Sequence, residues 1–489
     1  MKASYKIRSV KYNFMMNMIL KISQYIFPLI SLPYITRALG AIGLGKVSFA
    51  TSVITYFSMF AQLGIPSYGI RECAKIRDDK VALTKLVQEL IIINTISVVI
   101  SYSGLFILMI FVKKLQEEPV LLLIQSITIL LNMIGIDWLY QAIEQYQYIT
   151  IRNISFKFLS LVLMFMFIHN PNDYIKYAVL IVVSGSGSNL LNLFNSRKIL
   201  EKKTFRGQYE LKRHLKPIFI FFFMSIAVSI YTSLDTVMLG FISSDTEVAY
   251  YTIATKIKMV LASTVAAIGP VLLPRITYCL HNGQNDKFYS YISKSIHFVL
   301  LISLPFTIFF AALAPNAIMF LGGSEYIPAT MCMRVISFTI IPLGIGNVAA
   351  SQILAPSGRE IYTMYSTIVG AVIDFGANLL LIPRYGATGA AVATVITEII
   401  VAIVQVKFAW DKMKSVILHI SYFKLLFSNV FSSICLFVIL KFSAGMNYFL
   451  QLIFCAVAYF GVYAVILIVI KDTLVKEYFT DKFFRKNRN

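Results

Sequence analysis

Apolar runs long enough to cross a bilayer recur along the whole chain, and no polar interval between them is long enough for a separate soluble domain. A transmembrane helix needs about 20 mostly apolar residues. Fourteen such runs are centred near residues 24, 55, 98, 130, 160, 185, 229, 261, 299, 341, 372, 398, 432 and 459. The composition agrees: 58% of the 489 residues are hydrophobic and only 14% charged, with a mean hydropathy of +0.75, far from the balance of soluble domains. The predicted fold is therefore all-α, a polytopic membrane protein of about fourteen transmembrane helices. Its first apolar stretch, from about Phe14 to Ile35, is too long for a secretory signal and lacks a small-residue cleavage site, so it is predicted to be the first span.

A formal net charge of +21 would point to nucleic acid in a soluble chain. In a membrane protein the same excess collects in cytoplasmic loops, and no nucleic-acid partner is expected. With the N-terminus inside, only Arg37, Lys46, Lys113, Lys114, Lys176, Arg384 and Lys441 fall in outer turns. Lys21, Lys256, Lys258 and Arg334 lie within spans, and the rest of the 44 Lys and Arg are at inner segments. Both termini are thus expected in the cytoplasm of a cell membrane protein. The five cysteines and five histidines are scattered without metal-like spacing, so neither a metal site nor a Cys/His nucleophile is indicated. No P-loop motif is present, which excludes an ATP-driven pump in this chain by itself, and no cofactor is implied.

The longest inner loop, "RKILEKKTFRGQYELKRHLK" at 197–216, would face anionic headgroups and divides the chain in two. A weak internal repeat supports the division: "LGAIGLGKVSFAT" (39–51) is similar to "LGFISSDTEVAYYT" (239–252), and Gly64, Pro66 and Arg71 correspond to Gly269, Pro270 and Arg275. Six spans separate the copies, so the repeat is parallel about an axis normal to the membrane, an arrangement that places substrate between the halves. The predicted organisation is a six-helix bundle over 1–205, a second over 206–415, and two further helices with a basic tail over 416–489.

Charge inside a span costs roughly 2.5–3.5 kcal/mol on insertion scales, which makes each such residue a candidate for a watered or paired position. At 100° per residue, Asn13, Asn17, Lys21, Gln24 and Ser31 share about 80° of the first span. In the eighth span Thr252, Thr255, Lys256 and Ser263 share about 100°, while Lys258 points roughly 160° away from Lys256. Lys21 and Lys256 are accordingly the candidates for a central cavity, with Asn17, Gln24, Thr252 and Ser263 beside them. Lys258 is expected to pair with a neighbouring helix whose residue the sequence does not name. Asp235, Asp374 and Glu398 lie centrally in their spans and can serve either ion coupling or helix packing. Arg334 and Asp137 lie near span ends, where snorkelling explains them as well as function does. The charge run from Arg71 to Lys80 reads as a solvated loop contacting lipid phosphates or as a substrate contact.

The segments "LPYITRALGAIGLGKVSFATSV", "LGIPSYGIRECAKIRDDK", "DWLYQAIEQYQYITIRNISFKFLS", "SLDTVMLGFISSDTEVAYYTIATKI" and "LIPRYGATGAAVAT" carry a likeness over nearly the whole chain, clearest from about residue 10 to 410. The sequence resembles the Wzx-type oligosaccharide flippases, the polysaccharide-transporter branch of the multidrug/oligosaccharidyl-lipid/polysaccharide exporter superfamily. That resemblance implies two six-helix bundles around a central cavity. It also implies an activity, the movement of undecaprenyl-diphosphate-linked oligosaccharide repeat units to the outer leaflet for capsule, O-antigen or exopolysaccharide assembly. Alternating access coupled to an ion gradient is the implied mode, with membrane lipids, a polysaccharide polymerase and chain-length machinery as implied partners. Cavity lysines would replace the solvation that the diphosphate loses. Two alternatives stand beside this reading: a multidrug or small-molecule antiporter of the same superfamily, which acidic cavity residues would favour, and a membrane polysaccharide polymerase or glycosyltransferase, which the short outer turns disfavour.

Overall fold

The structure is a computed structural model that describes residues 8–201, 209–417, 421–443, 445–472 and 474–476. Among the described residues there is no strand. The chain divides into two compact units, Met1–Ala249 and Tyr250–Asn489.

The first unit comprises α1 (Val10–Gln62), α2 (Ile65–Lys75), α3 (Lys80–Phe111), α4 (Lys113–Gln116), α5 (Pro119–Gly135), α6 (Asp137–Ala142), α7 (Tyr146–Phe167), α8 (Tyr174–Val182), a π-helical stretch at Val183–Gly187, α9 (Asn189–Ile199) and α10 (Lys212–Ile242). Next come α11 (Asp245–Ala266), α12 (Ile268–His281), α13 (Asn285–Ala312), α14 (Ala314–Leu321), α15 (Ala329–Ser337), α16 (Ile340–Asn347), a second π-helical stretch at Val348–Leu354, α17 (Glu360–Ile417), α18 (Tyr422–Phe442) and α19 (Tyr448–Val469).

Two of these helices are too long for one crossing. α1 has 53 residues and α17 has 58, about 80 and 87 Å at 1.5 Å per residue against a hydrocarbon core of about 30 Å. Each is broken by one glycine outside the helical region, Gly40 (φ 66°) and Gly386 (φ 52°). Positive φ is open to glycine at little steric cost, which is why the breaks fall there. Among the described residues ten segments are long and apolar enough to span, two of them containing these double helices, and two shorter apolar helices lie at Pro119–Gly135 and Ser233–Ile242. Together they accommodate the fourteen crossings read from the sequence. The chain is an all-α, multi-pass membrane protein.

Side chains follow the solvent that the bilayer provides. Ile100, Phe111, Phe423 and Val457 are 65–78% exposed, an arrangement stable where the surroundings are lipid tails rather than water. Within the first unit α1 packs against α3, α5, α7 and α10. The core gathers where α2 meets α3 and α6, around Tyr68, Leu90, Leu139, Tyr140 and Ile218. There Trp138 covers Gly69 so closely that a Cβ at 69 would lie 2.6 Å from the indole. In the second unit α18 and α19 pack on one another, and Phe309, Leu313, Leu436, Cys455 and Tyr459 form a shared core.

Candidate functional site

Ser9 caps α1 by accepting from the Tyr12 N–H, and the helix then raises Asn13, Asn17, Lys21 and Gln24 along one side. Asn13 is buried and donates to Glu144 at 3.1 Å, so the lower end of this stripe is spent on packing. Asn17 is half-buried, and Lys21 and Gln24 are exposed. Among the described residues Lys21 forms no ion pair or hydrogen bond. Beside it on α1, Ser23 accepts a hydrogen bond from Lys157 Nζ at 3.1 Å. Lys157 therefore brings a second cation to the same stretch of α1. Sequence reading missed it by assigning it to an inner loop, although it lies eleven residues into a helix that is itself a candidate span.

The two lysines of α11 separate as their 160° offset requires. Lys258 Nζ lies 3.4 Å from Glu398 Oε1 on α17, with the side chains 17% and 5% exposed. This supplies the partner the sequence did not name, and it engages Glu398. Lys256 is half-buried and, among the described residues, has no hydrogen-bond or ion-pair partner. The neighbouring hydroxyls are turned to their own helix: Ser263 donates to the Val260 carbonyl at 2.7 Å, and Thr255 to that of Tyr251 at 3.0 Å. Their lone pairs stay available as acceptors, which is the common state of Ser and Thr inside spans. Thr252 is half-buried on the same side of the helix.

Asp374, only 1% exposed, accepts from Thr397 Oγ1 and from Asn378 Nδ2, both at 3.1 Å. Asp235 is buried in α10 at 6% exposure. Both acids thus sit inside their units, where a charged carboxylate depends on such donors.

A further buried network was not foreseen. Arg152, 4% exposed, donates through Nη2 to Asp137 at 2.8 Å and to Asn189 at 3.3 Å. Asn192 also donates to Asp137, at 2.7 Å. Asp137 is consequently an ion-pair member and not a snorkelling residue, and the signal was present: Arg152 stands six residues into α7, past the short α6. At the base of α10, Glu89 accepts from Arg213 Nη2 at 2.9 Å and lies 2.8 Å from His214 Nε2, while Tyr68 Oη lies 2.7 Å from His214 Nδ1. Parts of the Arg71–Lys80 run are engaged by the protein itself. Arg77 binds Glu144 at 2.6 Å, and Asp79 caps α3. Arg334 is exposed, as a snorkelling residue would be.

Three of the seven basic residues of the predicted outer turns meet carboxylates. Lys46 pairs with Glu118 at 2.6 Å, Lys176 with Asp173 at 2.7 Å, and Lys114 with Glu117 at 2.7 Å and Asp245 at 3.1 Å. Burial works to lower the Lys114 ammonium, but these two carboxylates raise it above the usual lysine value. No group of three or more His, Cys, Asp or Glu side chains able to hold a metal ion occurs among the described residues.

Two broken double-length helices, a multi-pass helical fold and in-span lysines without partners among the described residues mark an integral membrane protein that carries cations inside its spans. Comparison with known proteins narrows this. Residues 10–279 match the family described as polysaccharide biosynthesis protein, and residues 221–380 match the MatE family. The chain belongs to the polysaccharide biosynthesis protein family, as the motifs in its sequence suggested. It is 23% identical over 394 residues to a protein of Escherichia coli (strain K12) provisionally named an O-antigen transporter, covering 79% of this chain and 93% of that one. A protein of Shigella dysenteriae with the same provisional name is 22% identical over 402 residues, covering 81% and 99%. Among solved structures, the inward closed conformation of the lipid II flippase MurJ superposes with a TM-score of 0.72 at 17% identity, over 94% of this chain and 100% of that one. An inward-facing multidrug resistance MATE family transporter of the MOP superfamily gives 0.61 at 14% identity, over 80% and 96%. These likenesses establish the fold.

Proposed function

We propose that the protein is a flippase that carries undecaprenyl-diphosphate-linked oligosaccharide repeat units from the cytoplasmic to the outer leaflet of the cell membrane for polysaccharide assembly. The observation that carries the reading is the state of two ammonium groups. Lys21 and Lys256 lie within spans, yet neither has an ion-pair partner among the described residues, whereas Lys258 is paired and Lys157 is held by Ser23. An unpaired cation in a span is costly unless water or an anion meets it. A diphosphate meets that need with several charge-assisted hydrogen bonds. Each lysine is a cation available to the diphosphate at some stage of transport, with Asn17, Gln24, Thr252 and Ser263 as its neutral neighbours. The family membership and the transporter names of the relatives support the same substrate class. Alternating access driven by a cation gradient, with Asp235 or Asp374 as the coupling carboxyl, both termini cytoplasmic, and a polymerase as downstream partner, completes the proposal.

The experiment replaces Lys21 and Lys256 singly by Gln and by Arg and follows export of polysaccharide in a strain deleted for the native protein. Arg should retain substantial transport because the charge survives, while Gln should abolish it at normal abundance. Wild-type export by both Gln variants would overturn the reading. The match of 221–380 to the MatE family favours a second possibility, a multidrug antiporter. That alternative gains if drug efflux, and not polysaccharide, disappears on deletion.

A further inference from the structure

The first unit encloses a cavity of about 430 Å³ formed by the second limb of α1, α5, the π-helical stretch at Val183–Gly187 and α10. Sites for small ligands run from about 300 to 1,000 Å³, so the space is adequate for one. Its polar lining includes Thr55, Ser58, Gln62, Gln125, Asn132 and Ser186, and among the described residues no charged side chain lines it. In a chain of net charge +21 that neutrality is informative. A charged ligand would lose its hydration there without a counter-charge, whereas hydroxyl and amide groups that both donate and accept suit a ligand dense in hydroxyls.

One wall is held rigidly. Asn132 Oδ1 accepts from Ser186 Oγ at 3.0 Å and from Asn189 Nδ2 at 3.1 Å. Asn189 is fixed in turn by Arg152, and Arg152 by Asp137. With its carbonyl oxygen occupied twice, the Asn132 amide presents its Nδ2 donors, which have no partner among the described residues. The Arg152–Asp137 pair, buried at its arginine, thus orients a donor at the cavity wall, the way a supporting layer preorganises a binding group. The same π-helical turn contributes Gly185, where an added Cβ would meet nothing within 4 Å. Such turns occur often at functional sites.

We propose that this cavity is a subsite for an uncharged sugar ring of the lipid-linked oligosaccharide, with Asn132 as its hydrogen-bond donor and Gly185 as the bare part of its wall. The inference rests on the flippase reading, in which the diphosphate is bound by Lys21 and Lys256. It assigns the glycan a separate place within the first unit.

The test uses full-length protein in lipid nanodiscs and two probes, undecaprenyl diphosphate and undecaprenyl-diphosphate-N-acetylglucosamine. Wild type should bind the glycosylated probe roughly three- to tenfold more tightly, the effect of one or two hydrogen bonds. Gly185→Leu, which fills open space, and Asn132→Ala, which removes the donor, should each bring the glycosylated probe down to the affinity of the bare one. Lys21→Gln should weaken both probes alike. If wild type binds neither probe, the flippase reading fails and the subsite with it. If wild type prefers the glycosylated probe and both cavity variants, folded by their melting temperatures, keep that preference, the subsite alone is refuted. Equal binding of the two probes by wild type also refutes it. So does a sodium-dependent stabilisation that Asn132→Ala removes while the sugar preference stays, since the cavity would then be a cation site.

Discussion

Replacing Lys258 by Gln removes a cation whose Nζ lies 3.4 Å from Glu398 Oε1 in a pair only 17% and 5% exposed. The substitution leaves a buried carboxylate facing a neutral amide. Breaking a buried ion pair from one side costs about 3–5 kcal/mol, because the remaining charge keeps its desolvation penalty without its partner. Lys258 is the more exposed member and the separation is long for an ion pair, so the lower end, about 3 kcal/mol, is expected here. Lys256, two residues away on α11, has no carboxylate partner among the described residues to orphan, and its replacement by Gln should change stability by no more than about 1 kcal/mol. The assay is thermal inactivation of the purified variants, compared as half-lives at one temperature because membrane proteins rarely refold after heating. Lys258→Gln should shorten the half-life sharply, and Lys258→Gln combined with Glu398→Gln should recover much of it, since the double change removes the orphan charge. Transport should follow the opposite order, falling with Lys256→Gln and surviving in whatever Lys258→Gln protein remains folded. A Lys258→Gln variant as stable as wild type, or a Lys256→Gln variant equally destabilised, would refute the division of labour between the two lysines.

Asp374→Asn retains the shape of a side chain that accepts from Thr397 and Asn378, so vesicle transport should lose its dependence on an imposed cation gradient while protein abundance holds. If neither this variant nor Asp235→Asn changes gradient dependence, the coupling group lies elsewhere. Burial alone would raise the Asp472 carboxyl, but His297 at 3.0 Å and the Leu474 and Val475 N–H groups hold it below the ordinary aspartate value. A depressed carboxyl contributes stability that is present above its unfolded value, about pH 4, and is lost as pH falls through the folded one. Melting curves should therefore show an acid limb in wild type that Asp472→Asn flattens, and identical limbs would refute the linkage. Single cysteines at Ser244 and Glu210, in a background without the five native ones, should label from opposite faces of intact cells. Labelling at 210 by an impermeant maleimide added outside would reverse the predicted orientation.

The fold was legible because hydropathy acts over whole segments. Fourteen apolar runs survive any local irregularity, and the two breaks in the double-length helices fall at glycines, Gly40 and Gly386. The angular reading of α11 was legible for the same reason: a helix fixes the directions of Lys256 and Lys258 before any partner is known. The partner itself was not, because Glu398 is 140 residues away and only packing joins them. Asp137 was misread since its position near a span end is equally compatible with lipid, and Arg152 reaches it only after α6 and the turn before α7 bring them together. The cavity wall at Asn132 had no signal at all, being assembled from uncharged residues on separate helices.

Among the charges within the spans, closed pairs can be set apart from open cations, and the contrast bears on mechanism. Lys258 with Glu398, Arg152 with Asp137, and Glu89 with Arg213 and His214 are closed pairs whose members offset one another's desolvation. Lys21 and Lys256 have no such partner among the described residues. An apolar side chain at either position would spare the roughly 2.5–3.5 kcal/mol that insertion of a lone cation costs, so stability gives no reason for a lysine there. What does give one is a compensating anion present only part of the time. A transporter must bind its charged cargo and then release it, and a cation locked to a permanent carboxylate would do neither well. An ammonium with no resident carboxylate stays available to the ligand, and in the proposed cycle water solvates it between cargoes. The closed pairs then serve the complementary need: they hold the helices on which the open cations are carried, so that a diphosphate finds a charge in a defined place.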